Sequence, residues 1–365
     1  MVYLDANATE PLRPEARTAM LAALEVIGNP SSVHTAGRAA RRILENARES
    51  LAARFGALAS NLVFTSGGTE ADALAIHALG TGRRVIIGAT EHDAVRAAAP
   101  EALVLPVDGN GVADLATLQA QLADGSPALV CLMLANNETG TLQPIAEAAA
   151  LCMRHRAWLH VDAVQGAGRL DVRLGALGAH SVAVSSHKLG GPAGAGALLL
   201  APEVAAIVPL IAGGGQERGR RGGTPPLPAI AGFAAGAMAA KDASHLASLR
   251  DAVEATAAGA GAIVCGGGAA RLPNTTCLAL PGVRADAQVI ALDLDGVAVS
   301  AGAACSSGKV TASHVLAAMG LGPLAGQAIR VSLPWNATEA DVMAFGAAYR
   351  RMADHLRLTL APRAA

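Results

Sequence analysis

The chain has 365 residues, of which 52% are hydrophobic and 2% aromatic, and its 28 basic and 29 acidic residues give a formal net charge of −1. This length favours two domains, and the absence of a basic block in the sequence argues against nucleic acid as a partner. The most apolar stretch, residues 193–212, is interrupted by Pro202, Glu203 and Pro209, so we expect no spanning helix, no membrane partner and, without a signal pattern, a cytoplasmic location.

Helical and strand-like patterns alternate through the first 200 residues. They predict helices at 38–55, 70–79, 115–122 and 145–156, and strands at 61–65, 84–87, 103–107, 128–134, 158–162, 181–186 and 195–200. This alternation predicts an α/β fold whose mostly parallel sheet is flanked by helices on both faces. In such sheets the chemistry gathers at the carboxyl ends of the strands.

The remainder of the chain follows a different order. Residues 213–228, rich in glycine, arginine and proline, predict an ordered functional loop, and a long helical region is predicted from 229 to about 258. Strands are then predicted at 275–280, 297–300 and 329–332, and helices at 285–292, 313–319 and 338–358. We therefore expect a large domain at residues 15–244 and a smaller α+β domain formed by residues 1–14 and 245–365.

Two predicted strands end in residues that suit a site for pyridoxal phosphate (PLP). Lys188 follows the strand-like run 181–187, and Asp162 ends the run 158–162. A lysine amine holds the PLP aldehyde as a Schiff base, and a carboxylate keeps the pyridine nitrogen protonated, so that the ring acts as an electron sink. This pair predicts a PLP-dependent enzyme.

A glycine turn at residues 66–69 joins a predicted strand to a predicted helix. Gly68 lets a phosphate approach the backbone, the N–H groups at the helix start attract an anion, and Thr69 adds a hydroxyl. By itself the motif is equally consistent with an ordinary tight turn in which Thr69 caps the helix. With Lys188 and Asp162 present, phosphate binding is favoured.

Three further polar residues stand at or near strand ends. His92 suits stacking on the cofactor or proton transfer, although a histidine at this position is more often a plain loop residue. Asn137 could orient the ring oxygen of the cofactor, and its motif is also that of an Asx turn. Arg330 lies in an apolar strand and needs a carboxylate, supplied either by the protein or by the substrate.

The cysteines point to one reactive thiol. Their number is odd and none are closely paired, which argues against a disulfide framework or a zinc site, and no metal site is predicted. Only Cys305, in the small-residue segment 300–308, has flanks suited to an exposed nucleophile. Together with the PLP site, it points to sulfur chemistry on an amino acid.

In order and spacing, the motifs of this chain resemble those of the cysteine desulfurases of the NifS/IscS type, in the class-V aminotransferase family of fold-type I PLP-dependent transferases. The resemblance covers nearly the whole chain. Its motifs are residues 3–11, 29–32, 66–70, 90–92, 136–140, 160–165, 186–188, 213–219, 221–224 and the segment around Cys305.

The resemblance implies a role for each site residue. Lys188 would hold PLP and move the α-proton, His92 would stack on the ring and assist with substrate protons, and Cys305 would accept the sulfur. Asn29 and Arg330 would hold the substrate carboxylate. The other implied cofactor contacts are Gly68, Thr69, Asn137, Asp162, Gln165, Ser185, His187 and, from the second subunit, Thr224.

The activity implied by the resemblance is that of a homodimeric L-cysteine desulfurase. It would convert L-cysteine to L-alanine, keep the sulfur as a persulfide on Cys305 and deliver it to an acceptor such as an iron–sulfur scaffold protein. A selenocysteine lyase and a class-V aminotransferase are the alternatives among enzymes, and neither requires Cys305. A sulfur carrier or regulatory subunit without PLP chemistry is disfavoured, because Lys188, Asp162 and Thr69 are all present.

Overall fold

The computed structural model describes residues 1–204, 206–302 and 312–360, without the side chains of 357–360. The helices are α1 (Pro14–Leu24), α2 (Thr35–Phe55), α3 (Gly68–Gly80), α4 (Asp93–Ala98), α5 (Leu115–Leu122), α6 (Ile145–Arg154), α7 (Leu227–Ala239), α8 (Ala247–Gly259), α9 (Ala285–Leu294), α10 (His314–Ala318) and α11 (Glu339–Leu360). The strands are β1 (Val2–Tyr3), β2 (Leu62–Thr65), β3 (Arg84–Gly88), β4 (Leu103–Leu105), β5 (Ala128–Met133), β6 (Trp158–Asp162), β7 (Ser181–Ser185), β8 (Gly196–Leu200), β9 (Ile263–Cys265), β10 (Thr275–Ala279), β11 (Val297–Ala298), β12 (Ser300–Ala301) and β13 (Ala328–Ser332). Within these ranges, no helix combines the length and the apolar character needed to cross a membrane.

The large sheet is mostly parallel, as predicted. Among the described residues it has seven strands, in the order β2–β8–β7–β6–β5–β3–β4. Only β8 runs antiparallel to its neighbours. Strands β5, β7 and β8 are buried along their whole length, which is typical of a sheet covered on both faces.

The register of this sheet brings the ends of three strands together. Thr65 at the end of β2 and Ser185 at the end of β7 both lie opposite Gly196 of β8. Asp162 at the end of β6 lies opposite Ala183 of β7. The turns that follow β2, β6 and β7 therefore meet at one edge of the sheet.

The smaller sheet lies in the other part of the molecule. Its strands pair antiparallel in the order β12–β13–β10–β9, and β1 pairs parallel with β11 beside it. One hydrophobic core draws on residues between 40 and 237, and a second draws on Leu4 and on residues between 243 and 353. The boundaries 15–244 for the large domain, and 1–14 with 245–365 for the small one, stay a prediction.

The helical region predicted from 229 to about 258 consists of two helices in the structure, α7 and α8. Ala240 adopts an extended conformation after α7, and Asp242 accepts a hydrogen bond of 2.8 Å from the Ser244 N–H. Phe233 of α7 packs in the first core and Val253 of α8 in the second. The helical conformation is therefore interrupted where the chain passes from one core to the other. The continuous alanine-rich pattern of the sequence does not reveal this interruption.

The N-terminal segment links the small sheet to the edge where the three strand ends meet. The Leu4 N–H donates to the Ala298 carbonyl at 2.9 Å, and the Ala6 N–H to the Ser332 carbonyl at 3.0 Å. Further along, the Glu10 N–H donates to the carbonyl of His187 at 2.9 Å. Residues 4–10 are thus held against both parts of the molecule.

Candidate active site

A cavity of about 240 Å³ lies where the ends of β2, β6 and β7 meet. It contains every cofactor residue predicted for a single subunit. The lining residues are Gly68, Thr69, Asp72, His92, Met133, Ala135, Asn137, Asp162, Val164, Gln165, Ser185, His187 and Lys188.

One end of the cavity fits a phosphate group. The first N–H groups of α3, from Gly68 onward, have no acceptor within the helix. A side chain at Gly68 would place its Cβ 2.6 Å from Cγ2 of Val164, so only glycine leaves the turn open. The buried Ser185 hydroxyl, beside this turn, has no hydrogen-bond partner among the described residues. Unsatisfied donors around an open turn are the chemistry that a phosphate requires.

His187 borders the same cavity next to Lys188. Its Nδ1 lies 3.1 Å from the Thr9 hydroxyl. Burial, with a further contribution from the Lys188 charge, lowers the pKa of His187 to about 4. The ring is therefore neutral at physiological pH.

The Lys188 amine lies against the N-terminal segment. It donates a hydrogen bond to the Asn7 carbonyl and another, of 3.0 Å, to the Ala8 carbonyl. Gln165 Nε2 donates to the same Asn7 carbonyl at 3.1 Å, and Asn7 Nδ2 donates to the Asn137 carbonyl at 3.1 Å. Asn7 thus connects three predicted site residues, a role that the sequence interpretation missed although Asn7 lies in one of its motifs.

Asp162 is buried at the end of β6 and accepts a hydrogen bond of 2.9 Å from the Val164 N–H. Burial raises the pKa of Asp162 to about 7, and the nearby Asp72 adds to the rise. A positive charge beside the carboxyl would favour its ionised form. A protonated pyridine nitrogen is such a charge, so Asp162 fits the ring of PLP.

A second buried acid, Asp72, lines the cavity and was not predicted. Its Oδ1 lies 3.1 Å from Nε2 of His160, whose Nδ1 lies 2.8 Å from the Ser181 hydroxyl. Burial raises the pKa of Asp72 to about 8 and lowers that of His160 to about 4. Asp72 follows Thr69 by three positions on one helix, so both lie on the same side. That spacing was the available signal.

His92 forms part of the cavity wall at the start of α4. Its Nδ1 accepts a hydrogen bond of 3.1 Å from the Ala94 N–H. Since Nδ1 is an acceptor, a neutral ring carries its proton on Nε2. The helix cap therefore fixes both the place and the tautomer of this side chain.

Arg330 lies beside the cavity rather than in its lining. Its Nη1 donates to the Asn137 carbonyl at 3.1 Å, and its Nη2 pairs with Asp5 at 2.7 Å. The protein thus supplies the carboxylate that the sequence required. The buried Nε has no hydrogen-bond partner among the described residues, so one donor remains for a further group.

Besides Arg330, two predicted site residues, Asn29 and Thr224, do not line this cavity. Asn29 is in an exposed loop, where its side chain accepts a hydrogen bond of 2.8 Å from the Ser31 N–H. Thr224 is also exposed, and neither lines the cavity of the single chain. Cys305 lies outside the described residues. The roles of all three stay predictions.

The other four cysteines are buried and free: Cys131, Cys152, Cys265 and Cys277. Burial raises the pKa of the Cys131 thiol well above its usual value and that of Cys152 to about 12. Thiols of this kind are poor nucleophiles at neutral pH. In the ranges described, no cluster of three or more His, Cys, Asp or Glu side chains could hold a metal ion.

The architecture and the cavity are those of a class-V aminotransferase, and the model of that family matches residues 2–345. The chain is 44% identical to a cysteine desulfurase of Cereibacter sphaeroides, over 93% of this chain and 92% of that protein. It is 39% identical to an IscS-like cysteine desulfurase of Mycobacterium tuberculosis, over 94% and 93%. The solved structure of a NifS-like protein from Rickettsia africae matches with a TM-score of 0.90 and 34% identity, covering 97% of this chain and 99% of that one.

This chain belongs to the class-V aminotransferase family and, within it, to the NifS/IscS type. The fold is accordingly the fold-type I arrangement predicted from the motifs. Enzymes of this family work with PLP.

Proposed function

We propose that this protein is a PLP-dependent L-cysteine desulfurase that releases L-alanine and keeps the sulfur as a persulfide on Cys305. The observation that carries the proposal is one cavity that gathers Lys188, Asp162 and His92 together with the open turn at Gly68. The names of its relatives support the same activity.

Different residues of the cavity would hold different parts of the cofactor. Gly68, Thr69, Ser185 and His187 would hold the phosphate, with Asp162 at the ring nitrogen. Asn137 and Gln165 would contact the ring oxygen. When bound, PLP supplies an electron sink that weakens the bonds at the α-carbon of an amino acid and at the adjoining carbon.

Lys188 is the base of the proposed reaction. Its amine is held by the Asn7 and Ala8 carbonyls, on the wall of the cavity that also contains Asp162. Lys188 would hold the cofactor, and its amine would take the α-proton of the bound substrate and return it elsewhere. His92 would stack on the ring of the cofactor and assist with the substrate protons.

The sulfur leaves by attack of the Cys305 thiolate on the sulfur of the substrate. A bond forms between the two sulfur atoms, the bond between substrate sulfur and carbon breaks, and its electron pair stays with the carbon, which is later protonated to give alanine. The buried Nε of Arg330, which has no hydrogen-bond partner among the described residues, would hold the substrate carboxylate, and Asn29 would assist from an exposed loop.

Two partners follow from the proposal. Thr224 is exposed here and would reach the phosphate of a second subunit, so the working form is a homodimer. The persulfide must then pass to an acceptor thiol, for which we propose an iron–sulfur scaffold protein.

The activity is tested by incubating the PLP-loaded protein with L-cysteine and a reducing thiol. We expect alanine and sulfide in equal amounts, with Lys188→Ala as the inactive control. Alanine from selenocysteine alone would instead favour a selenocysteine lyase. Transfer of the amino group to a 2-oxo acid, with the sulfur retained, would favour an aminotransferase.

A further inference from the structure

A single buried carboxyl lies between two chain positions that flank Cys305 in the sequence. Glu138 Oε2 accepts a hydrogen bond of 2.6 Å from the Ser313 hydroxyl. Ser313 also accepts from the Leu316 N–H at 3.1 Å and so caps α10. Its own N–H donates to the Ala325 carbonyl at 3.0 Å. Glu138 is thus joined to a firmly held residue just after residues 303–311.

On the other side, Glu138 touches the residue that precedes the same segment. A Cβ built on Gly302 would lie 2.5 Å from Glu138 Oε2 and 3.3 Å from Cβ of Ser313. The backbone of Gly302 is not in the left-handed region. Its lack of a side chain is therefore required by this contact and not by its conformation.

The same carboxyl belongs to the loop that forms the cofactor cavity. Asn137, its neighbour in the sequence, lines that cavity and accepts the Arg330 hydrogen bond. The Glu138 N–H donates to Asn136 Oδ1 at 2.9 Å, which fixes the loop internally. In β12, Ser300 lies opposite Arg330 of β13. Glu138 therefore connects the substrate side of the cavity to both positions that flank Cys305.

We propose that Glu138 is a positioning residue for sulfur transfer. By packing against Gly302 and accepting the hydrogen bond of Ser313, it sets where the two positions that flank Cys305 lie relative to the loop of Asn137. This inference rests on the proposed desulfurase activity and assigns Glu138 a part in one step of it.

The charge of Glu138 guides the choice of variants. Burial raises the pKa of its carboxyl, while the Ser313 hydrogen bond, His314 and Arg330 lower it. Glutamine has the same shape and can still accept the Ser313 hydrogen bond, whereas alanine removes the contact on both sides. Glu138→Gln is therefore the matched control for Glu138→Ala.

The experiment mixes PLP-loaded enzyme with L-cysteine and follows two signals. The visible absorption of the cofactor reports its reaction with the substrate, and mass spectrometry after rapid quenching reports the persulfide on Cys305. We expect Glu138→Ala to slow persulfide formation by at least about tenfold while the absorption change keeps its rate. Glu138→Gln should retain most of the rate of persulfide formation that Glu138→Ala loses. Equal slowing of both signals, or of neither, would overturn the proposal.

Gly302→Ala tests the contact itself with Glu138 in place, so it serves even if Glu138→Ala does not fold, and where Glu138→Ala does fold, the double variant completes the test. Gly302→Ala forces a Cβ onto the Glu138 carboxyl, so we expect it to slow persulfide formation selectively. In the Glu138→Ala background the added methyl group has room and should cost little more. The proposed contact would be contradicted if Gly302→Ala did not slow persulfide formation, or if the double variant showed the full sum of the two single losses.

The underlying function is tested separately by Cys305→Ser. If that variant still releases sulfide at the full rate, the desulfurase mechanism fails and the role of Glu138 fails with it. If Cys305→Ser is inactive but Glu138→Ala does not separate the two signals, only the inference about Glu138 fails.

Discussion

Asp5 and Arg330 lie 325 positions apart in the sequence and form an ion pair of 2.7 Å. The guanidinium is buried, and its other contact is the Asn137 carbonyl at the cavity. The first residues of the chain thus orient the arginine proposed to hold the substrate carboxylate, and the pair can be tested from either side.

We expect Asp5→Asn to raise the KM for L-cysteine by about tenfold or more, since a charge-assisted hydrogen bond contributes about 1.5–3 kcal/mol. Arg330→Lys should raise KM further, because lysine cannot reproduce the fork of donors. The matched control is Glu254→Gln, which removes a similarly buried pair with Arg271, and neither of these residues lines the cavity. Steady-state kinetics with varied cysteine make the measurement, and an equal rise of KM in the control would contradict the assignment.

Lys188→Ala should remove the covalent link between protein and cofactor. We expect this result because Lys188 follows the end of a strand and lines the same cavity as Asp162. Borohydride reduction of the PLP-loaded protein, followed by peptide mass spectrometry, should place the label on Lys188. Label on Lys241 instead would refute the assignment.

Cys305→Ser should retain PLP and still react with L-cysteine in the visible spectrum, yet form no persulfide and release almost no sulfide. The reason is that serine offers no thiolate to attack the substrate sulfur. Persulfide mass spectrometry and sulfide assays make the measurement. Serine replacement of each buried cysteine is the control and should leave both signals in place: Cys131, Cys152, Cys265 and Cys277. Unchanged sulfide release from the Cys305 variant would sink the mechanism.

Asp162→Asn should change how the stability of the PLP-free protein depends on pH. Burial raises the pKa of Asp162 to about 7 from an ordinary value of 3.8. Between these values the folded protein keeps a proton that the unfolded chain has lost, so this stabilisation is present at low pH and is lost as the pH rises through 7. Asp162→Asn has no carboxyl at this position, so its stability does not show this fall with pH.

The difference in melting temperature between Asp162→Asn and the unchanged protein should therefore increase between about pH 5 and about pH 8. While the folded protein keeps a proton that the unfolded chain has lost, the free energy of unfolding of the unchanged protein falls by about 1.4 kcal/mol for each pH unit. Asn at the exposed Asp354 controls for the substitution itself. A difference that stays flat across this range would show that Asp162 is ionised in the folded protein throughout.

Thr224 is expected to act across the subunit boundary, and mixed dimers test this directly. Thr224→Ala alone should weaken PLP binding by about tenfold or more, since it removes a hydrogen bond to a charged phosphate. Dimers that combine this subunit with a Lys188→Ala subunit contain one site with both residues intact. Tight PLP binding at half of the sites is therefore expected. No recovery would mean that Thr224 serves its own subunit, or none.

Several elements were predictable because their signals are local. The helix at 115–122 has the predicted bounds, with Asp114 accepting hydrogen bonds from the Ala116 and Thr117 N–H groups at its start. The strand predicted at 128–134 is continuously apolar and ends within one residue of that range. The strand predicted at 297–300 divides into β11 and β12, because its two halves pair with β1 and β13.

The sequence by itself determined the chemistry. Lys188, Asp162 and the turn at Gly68 each follow a recognisable strand, and one rule about parallel sheets brings them to a common edge. Only the tertiary structure decided the contacts between distant segments, such as Asp72 with His160, Asp5 with Arg330 and Glu138 with Ser313. The local pattern of hydrophobic residues reports the periodicity of one segment only. These pairs depend instead on how the two cores and the N-terminal segment pack together, and no single segment encodes that packing.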